Sequence, residues 1–536
     1  VTFEIKKNLE KVSKARSIAN FIGNIGVGIF FLAVGILAVL VFMPDNVERF
    51  RADFVAYRNG DLHSSLDDSS TLRAVLPFVF ESFEPSAFNT QSRQVLLNFY
   101  EPLVNFDKNL RLQPALAVSW GMIDEKTWEF RLRKDVRFHD GNFVTVEDVI
   151  SSIDRAKNYF GSDLKALLSS VESFEKIDEG VLNIKTYRMD PSLPAKLSNV
   201  FILPAKYRNF LRSPIGTGPY YFVEREANRK IVLKRFDAYW GQSASTAELN
   251  LIFEQSAEKR AELIKQGEAD FVFGLAPDSI SSLRSFGVTV FSQPSLEVNF
   301  LLLNFRNSLL RNREVRQALR SVFDKKTFVE MTSGYARAAN QFVSSGIFGF
   351  NPEIKPIEYE IDLAAKAVRQ YGALARPVLS LHITEGMQVF GEYIKRQFNE
   401  IGVTVNLEYL SGKQLIESLK KGEADLYFFG WRSEMGDSMD FYESVVHSRQ
   451  AALNYGIYNG INYANSQVDK LIESATRNLD VASRLQDLRE VMRLIVEEDV
   501  IGVPLYESEN IYAFHDDLIF EPRIDAYVYF ADLKYQ

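Results

Sequence analysis

Apolar and polar positions change period several times along the chain, and each change predicts a different element. In "TWEFRLR", 127–133, Trp128, Phe130 and Leu132 alternate with Glu129, Arg131 and Arg133. A period of two marks a strand with one buried face. "TLRAVLPF", from Thr71, predicts a buried strand ended by proline. "RKIVLKRF", 229–236, follows a polar turn and predicts the second arm of a hairpin. Helical spacing appears over 146–158, 256–266, 312–323, 386–400, 413–420 and 482–498. The region from Thr71 onward is therefore mixed α/β.

The first fifty residues follow another rule. No charge stands between Arg16 and Asp45, and "IGVGIFFLAVGILAVLVFM", 25–43, is apolar throughout. About 20 such residues cross a bilayer as a helix. A signal peptide has a shorter apolar run and a small-residue cleavage site, and "VFMPDN" offers no such site. The pattern predicts a retained transmembrane anchor over 17–43. Lys6, Lys7, Lys11, Lys14 and Arg16 precede it against only Glu4 and Glu10. That bias keeps the tail, 1–16, in the cytoplasm and puts the rest outside. The polar stretch 44–70 reads as a tether.

One pattern occurs twice. "RAELIKQGEADFVFG", 260–274, and "QLIESLKKGEADLYFFG", 414–430, share a helix, a glycine, Glu-Ala-Asp and an apolar strand. Gly267 and Gly422 fall where a helix end takes a left-handed residue. The recurrence is either a chance repeat of a common unit or the mark of two lobes with equivalent parts. Two lobes make a cleft.

Composition narrows the chemistry. A chain of 536 residues suggests about three or four compact units by length alone. Lys plus Arg number 62 against 70 Asp plus Glu, and no basic run occurs, which argues against a nucleic-acid partner. There are no cysteines, which excludes thiolate nucleophiles, disulfides and Cys-ligated metal. The five histidines lack metal-ligand spacing. No G-x-S-x-G elbow, H-E-x-x-H helix or phosphate loop is present, so no enzyme class is predicted. No cofactor is predicted either.

"VRFHDGNFVTVEDVISSID", 136–154, sets His139 beside Asp140 and resembles half of a catalytic pair. Every polar residue in it also has a local structural role. His139-Asp140-Gly141-Asn142 is a turn composition. Thr145 and Asp148 have the spacing of a capping box at a helix start. Neither a nucleophile nor a metal partner stands nearby.

These stretches also carry a resemblance. "LLNFYEPLVNFDKNLRLQPALAVSW" and "WEFRLRKDVRFHDGNFVTVEDV" resemble the N-terminal lobe of family-5 extracellular solute-binding proteins, the peptide-binding group of ABC importers. "GTGPYYFVERE", "FDAYW", "LLLNFRNSLLRNREVRQAL", "GEADLYFFGW" and "NYANSQVDKLIESA" follow in the family's order. The resemblance covers about residues 71–515. It implies a two-lobed α/β fold of the class II, large peptide-binding type that closes on its ligand. The crossings would lie near 291–299 and 501–510. The first lobe would run over 71–298 with an extra subdomain at about 88–205. The second would run over 299–503, and 504–536 would return to the first.

The resemblance also names a site. The family's Gly-Trp pair ends a strand, and the loop after it faces the ligand, which implies Trp431, Glu434 and Asp437 here. Glu434 stands where peptide-binding members place an aspartate for the ligand's ammonium, and Asp437-Ser438 replaces Asp-Pro. "LHITEG", 381–386, lacks the arginine that dipeptide-binding members keep. Trp431 also suits plain core, and Asp437 a loop cap. The implied partners are a peptide or other small solute, ABC importer permease subunits and the membrane. The alternatives are a nickel complex, haem, an oligosaccharide or an opine as ligand, or a role as an anchored sensor.

Overall fold

The computed structural model describes residues 70–536 apart from 87–88, 163, 166, 277–278, 284–285, 372–376, 434 and 451–452. The tail, the predicted anchor at 17–43 and the tether up to residue 69 lie outside the described residues. No described helix is long and apolar enough to cross a membrane.

The strands, in chain order, are β1 (Thr71–Leu76), β2 (Val104–Phe106), β3 (Leu112–Pro114), β4 (Ala117–Asp124), β5 (Thr127–Leu132), β6 (Val171–Asp178) and β7 (Val181–Thr186). Then come β8 (Tyr220–Glu226), β9 (Lys230–Arg235), β10 (Glu248–Phe253), β11 (Phe271–Phe273), β12 (Val288–Leu303) and β13 (Ala336–Ala338). β14 (Val378–Thr384), β15 (Thr404–Leu410), β16 (Leu426–Arg432) and β17 (Gly502–His515) complete the main sheet. Its order is β15-β14-β16-β12-β17-β11-β1-β10-β9-β8, and β13 pairs with β17.

Two lobes share this sheet through β12 and β17. Residues 288–294 pair with 515–509 beside β11, and 298–302 pair with 507–502 beside β16. The register shifts between Pro294 and Val298, where a bulge divides the two halves. Beyond the bulge "FLLL", 300–303, is apolar on both faces. Phe300 and Leu302 join one core, around Phe342 and Phe441. Leu301 and Leu303 join the other, around Phe328 and Phe428. A strand covered on both sides reads as a continuous apolar run.

In the first lobe an aromatic core gathers Phe80, Phe83, Phe99, Phe271 and Phe514. A separate sheet, β4-β5-β7-β6, packs against the helix Val146–Asn158. Trp128, Phe130 and Leu132 are buried there, as their alternation predicts. Thr145 caps that helix reciprocally. Its Oγ1 accepts from the Asp148 N–H at 3.3 Å, and Asp148 Oδ2 accepts from the Thr145 N–H at 2.9 Å.

His139 is structural. Its Nδ1 accepts from the Gly216 N–H at 3.2 Å, which leaves the proton on Nε2 to donate to the Gly218 carbonyl at 3.0 Å. Burial holds its pKa down at about 4.

Some sequence expectations shift. The helix expected over 312–323 starts where predicted but ends early, as Arg313–Leu319, and a separate short helix, Ser308–Arg311, stands before it. The Asn312 side chain accepts from the Val315 N–H at 3.1 Å and starts the second helix afresh. The helix expected over 482–498 runs over Val481–Arg493 and then widens into a π-helical turn, Leu494–Glu498. Gly267 and Gly422 both have φ of +70°, the left-handed value their place after a helix demands.

Candidate functional site

The site grows from the end of β16. Leu426–Phe428 pair with β14 on one side and β12 on the other. From Phe429 to Arg432 only the β12 pairing continues, so the outer edge of these residues carries no strand among the described residues. An open edge of this kind offers backbone donors and acceptors to an extended ligand.

Side chains on β16 and its neighbours alternate across the sheet. On one face Trp431 lies opposite Val298, Val298 opposite Glu507, and Glu507 opposite Arg337. Half-buried Trp431 meets Phe441 and Tyr458 edge-on, with centroids at 5.7 and 6.1 Å. Its buried indole N–H finds no acceptor among the described residues. Glu507 is raised to about 7 by burial, against the pull of Arg337.

On the other face Glu297 lies opposite Arg432. The Glu297 carboxyl is raised by burial, opposed first by Arg432. It crosses Gly430 so closely that a Cβ there would stand 2.5 Å from its Oε1. Asn299 turns to Ser508, donating to its Oγ at 2.9 Å. The Arg432 guanidinium lies over the Tyr527 ring at 5.4 Å, bringing the first lobe's C-terminal segment to the end of β16.

Asp437, the third residue singled out from sequence, has both carboxylate oxygens engaged. Oδ2 pairs with Arg484 at 2.7 Å, and Oδ1 accepts from the Met439 N–H at 3.0 Å. The loop is further tied to Phe348 by backbone bonds on either side of Asp437, from Phe348 N to Gly436 O and from Ser438 N to Phe348 O. Glu434 lies outside the described residues.

The first lobe reaches the second at three further points. The turn between β2 and β3 places Leu110, at φ +60°, against Gly436. Ile524 packs near Leu296 and Gly346. Arg188, just after β7, lies over the Tyr455 ring at 5.3 Å. Between the Leu110 turn and the second lobe a cavity of about 380 Å³ opens. No cluster of three or more metal-ligating side chains occurs among the described residues.

Sequence reading did not single out Glu507, Arg432 or Leu110. Glu507 alternates with buried Tyr506 in "YESEN", but only the pairing of β17 with β12 tells which neighbours it meets. Leu110 looks like an ordinary turn residue until the lobes are brought together.

Residues 111–452 match the family described as bacterial extracellular solute-binding proteins, family 5 middle. The heme-binding protein A of Haemophilus influenzae is 25% identical over 490 residues, covering 83% of this chain and 86% of that protein. The glutathione-binding protein GsiB of Escherichia coli is 23% identical over 464 residues, covering 82% of this chain and 89% of that protein. Among solved structures, the ABC transporter-associated periplasmic binding protein DppA from Helicobacter pylori, in complex with the peptide STSA, has a TM-score of 0.75. It is 21% identical and covers 87% of this chain and 98% of that one, a likeness of fold.

Proposed function

Because the chain belongs to the bacterial extracellular solute-binding proteins of family 5, we propose that it captures peptides or peptide-like solutes between its lobes and delivers them to an ABC importer. The open edge of β16 at Phe429–Arg432 carries this reading. An extended backbone can add to that edge, and the Trp431 indole N–H beside it, which has no acceptor among the described residues, is a donor for the ligand. A relative named for glutathione, and a different protein of like fold whose structure holds a peptide, support the same ligand class. Glu434 supplies the carboxylate for the ligand's ammonium. Asp437 instead braces the loop.

The lobes in this reading are 71–298 with 504–536, and 299–503. The segment 17–43 anchors the protein in the cell membrane with the lobes outside. Binding, not catalysis, is the activity.

Native mass spectrometry of the full chain, purified without added ligand and then offered a peptide mixture, tests the reading. A ladder of bound masses that sequences as short peptides is expected. Retention of one non-peptide mass with indifference to peptides would keep the fold and discard the ligand class.

A further inference from the structure

The cavity of about 380 Å³ has a mixed lining in which Leu110, Ile347, Phe348, Phe350 and Leu485 supply the apolar side chains. Its charged member is Arg489. That side chain is half-buried and makes one hydrogen bond among the described residues, from Nε to the Phe350 carbonyl at 3.1 Å. No described carboxylate pairs with it. The nearby carboxylate of Asp437 is committed to Arg484, and Glu490 is committed to Arg493. The two terminal nitrogens of Arg489 thus keep their donors for something else.

The backbone at Arg489 is tied to the same segment. Asn351 Nδ2 donates to the Arg489 carbonyl at 3.1 Å. Asn351 is itself fixed by Gln341, which donates to its carbonyl and accepts from its N–H, each at 2.9 Å. Gln341 and Asn351 are both buried. A planar guanidinium whose two terminal nitrogens are unengaged among the described residues matches a carboxylate, which can accept from both at once.

We propose that this cavity is a subsite for a ligand's carboxylate and the apolar side chain next to it, with Arg489 binding the carboxylate. The proposal rests on the peptide reading above and sharpens it: the preferred ligands are short peptides with a free C-terminus and an apolar last residue. The volume lies at the low end for ligand pockets, room for part of a ligand and not all of it. Leu110 comes from the opposite lobe, so the cavity is complete only when the lobes meet. A ligand that fills it therefore favours the closed arrangement.

The test offers the full chain two libraries in turn: tripeptides ending in Leu, Ile, Val or Phe, and the same tripeptides as C-terminal amides. Native mass spectrometry reads the bound fraction. The expected result is a preference for the free acids of about tenfold or more, abolished in Arg489→Gln. Leu110→Asp is a second variant on the other lobe. It sets a carboxylate at the cavity wall at a left-handed position that Asp tolerates better than Leu. It is expected to weaken both through the lost apolar wall, and the acids further through charge repulsion, so that the acid preference disappears. Equal binding of acids and amides by the parent chain overturns the subsite and leaves peptide capture standing. So does an acid preference that survives in either folded variant. Failure of the parent chain to retain any tripeptide overturns both.

Discussion

Asp437 and Arg484 are joined at 2.7 Å across 47 residues of sequence, and the bond ties the loop after Trp431 to the helix Val481–Arg493. Arg484 also lies over the Phe348 ring at 5.2 Å. One guanidinium therefore holds the loop and the segment facing it. Asp437→Asn keeps the shape and removes the charge, and is expected to cost about 1–3 kcal/mol of stability. Ligand charge preference should not change, whereas Glu434→Gln should weaken ligands with a free ammonium. Urea unfolding alongside peptide binding separates these outcomes.

The same loop leans on a glycine. Gly349 has φ of +101°, and a Cβ there would stand 2.1 Å from Ser438 Oγ and 3.0 Å from Ser438 Cβ. Gly349→Ala meets both backbone strain and a clash. A loss of about 2 kcal/mol or more is expected. Ser438→Gly in the same chain removes the clash and should restore part of it, leaving the strain.

His139 gives a pH dependence with a definite sign. Its folded pKa of about 4 lies below the ordinary value of 6.5. Between those values the unfolded chain binds the extra proton, so stability falls as pH drops from 6.5 toward 4. Below about 4 both states are protonated and the loss is complete. The full effect is roughly 3 kcal/mol. His139→Gln should flatten this part of the stability curve relative to the parent, measured by urea midpoints from pH 7.5 to 4.

Arg188 and Tyr455 join the lobes on a contact separate from the crossing strands. A cation over an aromatic ring contributes about 0.5–2 kcal/mol. Arg188→Ala is expected to lower apparent ligand affinity several-fold without touching the ligand. Small-angle scattering should show a larger radius of gyration at subsaturating ligand. An unchanged radius and affinity would remove the contact from the closing equilibrium.

Local chemistry was legible in the sequence, and long-range pairing was not. The Thr145–Asp148 cap, the left-handed Gly267 and Gly422 and the alternation in β5 depend on neighbours a few residues away. Each stands where the pattern puts it. The crossings near 291–299 and 501–510 came from resemblance. The pattern alone did not reveal that the two strands pair with each other. The helix start at Asn312 was legible as well, because its side chain caps the turn that follows, whereas the early end at Leu319 was not, since apolar residues continue through Val322 and Phe323. The partner of Asp437 and the free donors of Arg489 were unreadable for a different reason. Both depend on which charges the fold leaves unpaired, and that is settled between residues tens to hundreds of positions apart.

β12 and β17 are bonded to each other on both sides of the bulge at Pro294–Val298. The two links between the lobes are thus one ribbon, and separating the lobes must twist it. Such a ribbon acts as a torsion spring whose rest angle belongs to the bulge and whose stiffness belongs to the paired strands. A substitution in the ribbon, distant from any ligand atom, would change how fast and how far the jaws part while leaving untouched which solute they prefer.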